Sequence, residues 1–230
     1  CRLRGAYVAT AVAEYFRDQG KDVMLMFDSV TRFAKAQREI GLAIGEPPAQ
    51  RGYTPSVFET MPKLLERSGT SKKGSITAFY TVLVDGDDMD EPIADTVRGI
   101  LDGHIVLNRK LAQSYHYPAI DVLQSISRLA NRVSGAETKR ACAGVRRLMA
   151  AYKEKEDFIS VGAYERGTSQ LVDAAIDTHD AIENFLIQEE FEPSPIEETL
   201  KNLGNIVGVT IPEEELLQAG YNPEKSENQN

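Results

Sequence analysis

An apolar run that ends on an acid, with an arginine four residues later, is the first pattern with chemical meaning. Val23–Phe27 (VMLMF) has the length of a strand, Asp28 follows it, and Arg32 comes one helical turn further on. An aspartate at the end of a buried strand can hold the water shell of a magnesium ion that bridges nucleotide phosphates, and a nearby guanidinium can offset phosphate charge. Two other interpretations stay open: Asp28 caps the next helix equally well, and an arginine such as Arg32 is more often a surface or salt-bridge residue.

The elements that would position these residues alternate between helices and strands. Hydrophobic periodicity predicts helices over Gly5–Asp18, Arg32–Leu42, Ser56–Arg67 and Asp95–Leu101, and strands over Val23–Phe27, Gly74–Val84 and His104–Leu107. Three buried strands separated by helices predict a parallel sheet, with the first as a central strand covered on both faces. From about Ser134 helical spacing predominates, over Glu137–Lys155, Gln170–Phe185 and Ser194–Asn205. The predicted domains are therefore 1–133, an α/β unit, and 134–218, a helical unit, followed by a flexible tail, 219–230.

Composition and charge exclude several classes of protein. The chain has 230 residues, of which 42% are hydrophobic and 27% charged, which predicts one large or two modest soluble domains. Its net charge is +4 over residues 1–150 and −13 over residues 151–230, an acidic balance that argues against broad nucleic-acid binding. The sequence contains no long apolar run and no secretion signal, so cytosol is the expected location. Cys1 and Cys142 are expected to be free thiols.

Longer blocks carry a specific resemblance. The segments IGLAIGEPP, RGYTPSVF, KKGSITAFYTVLV, YHYPAID and SISRLAN stand in this order along the chain. Together they resemble the flagellar export ATPases and the type III secretion (injectisome) ATPases, relatives of the catalytic subunit of rotary ATP synthases. The resemblance covers nearly the whole chain and implies a partial P-loop (RecA-like) parallel sheet with flanking helices, followed by a helical carboxyl-terminal domain. The GEPP and RGYTPSVF blocks favour the export branch, and within it the flagellar group.

The resemblance also implies roles for individual residues. Asp28 corresponds to the acid that supports magnesium through water, and Arg32 to an arginine near the terminal phosphate. Tyr117 corresponds to the aromatic residue that lies against adenine, a role that suits a tyrosine whose backbone is restricted by Pro118. Arg128 corresponds to the arginine finger, which acts on nucleotide bound by the neighbouring subunit. Without the resemblance, Tyr117 would more often be a packing residue and Arg128 an ion-pair residue, and the neighbouring His116 is expected to be structural.

Two further charged segments have weaker chemical signals. DGDDMDEP, Asp85–Pro92, crowds five acids but lacks the order of an EF-hand, so a solvated loop is expected rather than a cation site. Lys139, Arg140, Arg146 and Arg147 form a basic helical patch that could meet a polyanion or acids of a partner, although a solvated face is the commoner outcome.

The whole-protein function implied by the resemblance is hydrolysis of Mg-ATP by a homo-oligomeric ring, a hexamer, that energises flagellar protein export. The chain has no GxxxxGK[ST] phosphate loop, and the family's catalytic glutamate and amino-terminal β-barrel are also missing. We therefore expect a carboxyl-terminal portion of the ATPase that is inactive alone. Expected partners are the export apparatus, stalk proteins and chaperone–cargo complexes, at the inner face of the cytoplasmic membrane without insertion. The alternatives are an injectisome ATPase, a rotary ATP synthase subunit, and a docking module of the export machinery without turnover.

Overall fold

The computed structural model describes residues 2–219, so the predicted tail lies outside the described residues except for Ala219. The chain divides into two compact units, Cys1–Asp102 and Gly103–Asn230. The first contains α1 (Arg2–Arg17), β1 (Asp22–Phe27), α2 (Val30–Ala43), α3 (Pro55–Leu65), β2 (Gly69–Thr70), β3 (Ser75–Tyr80) and α4 (Pro92–Ile100). The second contains β4 (Gly103–His104), α5 (Arg109–Gln113), β5 (Ile126–Ser127), α6 (Ala130–Val133), α7 (Ala136–Ser160), α8 (Gln170–Leu186), α9 (Ile196–Val207) and α10 (Glu213–Ala219). The predicted boundary near residue 134 stays a prediction.

A three-stranded sheet organises the first unit. Its strand order is β1-β3-β2, with β1 and β3 parallel and β2 antiparallel to β3. The core beside it consists of apolar residues from α2, α3 and α4, together with Ala6 of α1. In α2 the buried residues Val30, Phe33, Ala34, Gln37 and Gly41 follow helical spacing and face α3. Helix α3 runs from Pro55 to Leu65, where the sequence predicts Ser56–Arg67, and it continues through Pro62.

The prediction that β1 is a central strand covered on both faces is wrong for this chain. Within residues 2–219, strand β1 pairs with β3 alone and forms an edge of the sheet. Leu25 is buried against Ala13 of α1, whereas Met24 and Met26 on the opposite face are 68% and 77% exposed. Because side chains alternate along a strand, one covered face buries only every second residue. The sheet therefore has an edge at β1 and exposed apolar surface at Met24 and Met26.

The prediction of a third strand in the parallel sheet is also wrong. Within His104–Leu107 only the first residue belongs to a strand, β4, which pairs antiparallel with β5 in a separate two-stranded sheet. Val106 is buried, but Ile105 and Leu107 are 63% and 71% exposed. An apolar run of four residues does not specify its strand partner, and this one lines a loop rather than a sheet.

Helices dominate the second unit, as predicted. One core cluster joins Ala141 and Val145 of α7 to Ile182 of α8 and Leu203 of α9. A second cluster lies further along α7, where Ala151 packs with Val172 and Ala175 of α8. Ser169 caps α8 by accepting a hydrogen bond from the Val172 N–H, and α9 ends at Gly208, whose left-handed φ of 67° favours glycine. No described helix is long and apolar enough to cross a membrane.

Candidate functional site

Asp28 lies at the carboxyl end of β1, beside the end of β3. The two parallel strands are in register, with Phe27 opposite Tyr80, so the next residues, Asp28 and Thr81, are neighbours. The Thr81 hydroxyl donates to Asp28 Oδ1 over 2.9 Å, and the Thr81 N–H donates to the Phe27 carbonyl over 3.0 Å. The carboxyl ends of parallel strands are where such sheets present ligand-binding groups. Thr81 was not identified from the sequence, because the predicted strand Gly74–Val84 runs past it, whereas the observed β3 ends at Tyr80.

Ser29, rather than Asp28, caps the helix that follows. The Ser29 hydroxyl accepts a hydrogen bond from the Arg32 N–H over 3.3 Å and forms the N-cap of α2. The capping interpretation of Asp28 is therefore wrong. The start of α2 is tied to the end of β3 as well, because the Thr31 hydroxyl accepts from the Leu83 N–H over 2.9 Å. These bonds fix the turn between β1 and α2 and leave the Asp28 carboxylate exposed.

A cleft of about 490 Å³ brings Asp28 and Arg32 together. Its remaining lining comes from β1 and from the starts of α1 and α2: Gly5, Ala6, Ala9, Met26, Phe27, Ser29 and Phe33. Arg32 is exposed and forms no ion pair within residues 2–219. On the α1 side, the cleft is lined by small residues, including Gly5 and Ala9. An exposed carboxylate and an exposed guanidinium in one open cleft can serve a ligand that carries both a cation and anionic oxygens.

The acidic segment Asp85–Pro92 is only partly solvated, which corrects the expectation of a solvated loop. Asp88 Oδ2 pairs with Arg51 Nη1 at 2.7 Å, and this bond lowers the Asp88 pKa. Glu91 is buried, and its Oε1 accepts a hydrogen bond from the Tyr53 hydroxyl over 3.2 Å. Burial, reinforced by the Glu91 charge, raises the Tyr53 pKa to about 12. The segment thus anchors the RGYTP loop to α4; among described residues, no cluster of three potential metal ligands occurs.

Tyr117 lies in a loop of the second unit that α8 and its end hold in place. Its ring is 51% exposed, and its carbonyl accepts a hydrogen bond from the Gln188 N–H over 2.8 Å. The adjacent His116 is buried, with Nδ1 3.1 Å from Glu183 Oε2, as expected of a structural residue. The Tyr117–Pro118 peptide bond is cis. An exposed aromatic face on an anchored backbone is the arrangement that contact with a flat base requires.

Asp121 lies between Tyr117 and Arg128 and bonds two neighbouring parts of the chain, Asn108 and Gln124. Its buried carboxylate accepts hydrogen bonds from Asn108 Nδ2 at 3.2 Å, from the Gln124 N–H at 3.1 Å and from Gln124 Nε2 at 2.8 Å. Burial by itself would raise the Asp121 pKa, but these bonds and Lys153, 3.8 Å away, hold it below its ordinary value. Asp121 was not identified from the sequence, because one acid in YHYPAID gives no sign of burial.

Arg128 is exposed and directly follows β5. The structure therefore brings together two of the four predicted site residues, Asp28 and Arg32, in the first unit, and places Tyr117 and Arg128 in the second. Their roles toward nucleotide stay predictions.

Comparison with known proteins gives the family. The nucleotide-binding domain of the ATP synthase alpha/beta family matches residues 1–127, more than half of the chain. The chain belongs to the ATP synthase alpha/beta family. The carboxyl-terminal domain of the type III secretion EscN ATPase matches residues 134–205, which points to the secretion ATPases. These matches confirm the resemblance identified from the sequence.

Several relatives are similar along most of the chain. A flagellum-specific ATP synthase of Treponema pallidum (strain Nichols) is 63% identical over 91% of this chain and 47% of its own length. The flagellum-specific ATP synthase of Bacillus subtilis (strain 168) is 56% identical over 90% of this chain and 47% of its own length. A type 3 secretion system ATPase of Xanthomonas euvesicatoria is 53% identical over 89% and 46%. The chain thus spans about half the length of the curated relatives it matches.

A solved structure gives the same result for the fold. Assembled EscN from the enteropathogenic Escherichia coli type III secretion system is 50% identical, with a TM-score of 0.87 over 89% of this chain and 50% of that chain. The predicted fold class, a partial α/β sheet with flanking helices and a helical carboxyl-terminal part, is confirmed.

Proposed function

We propose that the protein containing this chain is a ring ATPase that hydrolyses Mg-ATP to ADP and phosphate and energises type III protein export. The observation that carries the proposal is the cleft that joins Asp28 at the end of β1 to Arg32 on α2, within a segment that matches a nucleotide-binding domain. The 230-residue chain alone contains no phosphate-loop motif, so we expect it not to hydrolyse ATP by itself.

The residues present fit a magnesium nucleotide. Asp28 Oδ1 is engaged by Thr81, whereas Oδ2 has no hydrogen-bond partner within residues 2–219 and can hold a water molecule. Carboxylate oxygen is the donor that magnesium prefers, usually through retained water. The ion that Asp28 would hold through water supplies positive charge that offsets the charge of the phosphates. Arg32 would bind phosphate oxygens from the same cleft, with a planar fork of N–H donors that suits them.

Tyr117 and Arg128 lie in the second unit, and we propose that each of them contacts nucleotide. The exposed Tyr117 ring offers a flat face to adenine, and the bonds of its carbonyl and of His116 keep that face in one place. Arg128 would reach nucleotide held by the neighbouring subunit and stabilise charge on the transferred phosphoryl group, an effect of roughly 10³-fold or more. Hydrolysis would then require a ring, which we propose to be a hexamer. The related EscN has been solved as an assembled ATPase, which supports assembly.

The flagellar branch is the favoured assignment. The 63% and 56% identities are to flagellum-specific proteins, while an injectisome ATPase follows at 53%. The match of residues 134–205 to a secretion ATPase domain counts against a rotary ATP synthase subunit.

Partners would include a stalk protein, since EscN has been solved in complex with its central stalk EscO. Chaperone–cargo complexes and the inner face of the cytoplasmic membrane complete the proposed setting, with no nucleic-acid partner.

The test is magnesium-dependent ATP hydrolysis by the full-length protein over a range of concentrations, alone and mixed with an Arg128→Ala variant. We expect activity per molecule to rise with concentration and to be poisoned by the variant. Asp28→Asn should abolish the magnesium-dependent activity, and Tyr117→Ala should raise the KM for ATP. Absence of hydrolysis by the wild type would favour the docking module. Activity that is indifferent to both concentration and Arg128→Ala would remove Arg128 from the site.

A further inference from the structure

Arg146 on α7 makes three hydrogen bonds to the backbone just before Arg128. Its Nη1 donates to the Val122 carbonyl over 2.6 Å and to the Ser125 carbonyl over 3.4 Å, and its Nη2 donates to the Leu123 carbonyl over 3.2 Å. All of these residues lie in the second unit. The side chain is exposed, so the sequence alone placed it on a solvated basic face. Its guanidinium is instead committed to one short turn.

That turn presents several backbone carbonyls that one donor with several N–H groups can satisfy. It runs from Asp121 to Ser125, where the Ser125 N–H and hydroxyl both donate to the Asp121 carbonyl, at 3.0 and 2.7 Å. The carbonyls of Val122, Leu123 and Ser125 are the ones that Arg146 gathers together. Carbonyls at the end of a helical turn lack internal partners and attract cations. A planar guanidinium can serve three of them at once, while a lysine ammonium is a point donor on a flexible stem.

The turn leads directly to Arg128. Ser125 is followed by β5, which is only two residues long, and then by Arg128 itself. Strand β5 pairs with β4, the turn behind it accepts the bonds from Arg146, and the Ser125 hydroxyl of that turn accepts a hydrogen bond from the Val106 N–H. The β4–β5 pairing fixes the strand laterally, and α7 holds the turn through the three Arg146 bonds and, more weakly, through the exposed Lys153, whose Nζ lies 3.8 Å from Asp121 Oδ2. A displacement of about 1 Å at a catalytic group can cost on the order of 100-fold in rate.

We infer that Arg146 is a positioning residue for Arg128. Its guanidinium holds the turn 121–125 against α7, and this keeps the arginine finger in the position from which it reaches the nucleotide of the neighbouring subunit. This inference rests on the finger role proposed above for Arg128. Arg146 touches no nucleotide in this arrangement and acts only through the backbone that carries Arg128. Its removal should therefore affect turnover without weakening ATP binding.

The chain offers a matched control. Arg147 is the next residue on α7 and is also exposed, and its side chain makes no hydrogen bond or ion pair within residues 2–219. Arg146→Gln and Arg147→Gln remove the same charge from neighbouring positions. In the full-length protein we expect Arg146→Gln to lower kcat about 10- to 100-fold, with the KM for ATP unchanged within about 2-fold. Arg146→Lys should retain intermediate activity, and Arg147→Gln should match the wild type.

Mixing variant and wild-type subunits distinguishes a positioning role of Arg146 from a loss of folded structure. If Arg146→Gln subunits fold and enter the ring with a misplaced finger, they should poison the wild type along the same titration curve as Arg128→Ala subunits. The inference is overturned if Arg146→Gln behaves like Arg147→Gln, if it raises KM with kcat unchanged, or if it lowers activity but fails to poison while Arg128→Ala does. Full turnover by Arg128→Ala would instead overturn the proposed role of Arg128, and this inference with it.

Discussion

Asp121→Asn is the substitution that most directly tests how the loop of Tyr117 is held. The Asp121 side chain is 6% exposed and accepts three hydrogen bonds, two of them at Oδ2, from Asn108 Nδ2 and Gln124 Nε2. An amide NH₂ in place of that oxygen is itself a donor and would face the donating amides of Asn108 and Gln124. The bond from the Gln124 N–H to Oδ1 can survive. The geometry of the side chain is unchanged, so the effect isolates hydrogen bonding and charge.

The expected loss follows from the two bonds. A hydrogen bond to a charged group contributes about 1.5–3 kcal/mol. The Asn108 bond, at 3.2 Å, lies at the long end of the normal range, so the weaker figure applies to it. The attraction to Lys153, 3.8 Å away, is also lost, although Lys153 is largely exposed and adds little. The two bonds together contribute about 3–4.5 kcal/mol. Because the two amides can turn over and recover part of this, we expect Asp121→Asn to lower the free energy of unfolding by about 2–4 kcal/mol.

The pH dependence gives an independent check. The folded-state pKa of Asp121 is depressed below 3.8, so its contribution is fully present above the unfolded value and disappears as pH falls through the folded one. The difference between wild type and variant should stay constant from about pH 8 down to about pH 5. The assay is equilibrium urea unfolding followed by circular dichroism, with the exposed Asp180→Asn on α8 as control. A difference below about 1 kcal/mol, or one that vanishes between pH 7 and 5, would refute the reasoning.

Three other substitutions test the first unit. Gly41→Ala would place its Cβ 2.4 Å from the buried Thr54 hydroxyl, so we expect overpacking between α2 and α3 to cost about 1–3 kcal/mol in urea unfolding, and a neutral result would contradict the packing. Ser29→Ala removes the N-cap of α2 and should cost about 1 kcal/mol, while Ser29→Thr should retain most of the stability. Met26→Lys places a charge on the exposed face of β1, and sedimentation should show less self-association of the 230-residue chain; unchanged association would exclude this face.

The sequence predicts helices better than it predicts strand partners in this chain. The predicted Gln170–Phe185 is observed as Gln170–Leu186, because helical periodicity and a serine cap are local signals. His104–Leu107 has the same apolar character as a buried strand, yet its pairing depends on β5, more than twenty residues away. Likewise VMLMF reads as a strand covered on both sides, but its outer face lacks cover in this chain. Local composition specifies the element, whereas its neighbours depend on the rest of the fold.

The candidate site shows the same division. Asp28 could be identified because a carboxylate after an apolar strand is a recognisable local pattern, and Tyr117 and Arg128 because long blocks resemble a family. Asp121 and Arg146 could not, because their importance lies in three contacts each with backbone and amide groups that no spacing in the sequence reveals.

Asp28 and Ser29, the two residues after β1, have different roles, although either type of residue can cap a helix. An aspartate and a serine both cap helices well, so the sequence DS offers two candidates for one position. The structure assigns the cap to Ser29, whose backbone also passes directly into α2. Asp28, one residue earlier, receives only the Thr81 hydroxyl and keeps its second oxygen for solvent or ligand. A carboxylate used as a cap would have its charge compensated by helix N–H groups, so moving the cap to a neutral serine is what leaves a full negative charge at the cleft, where a cation could use it.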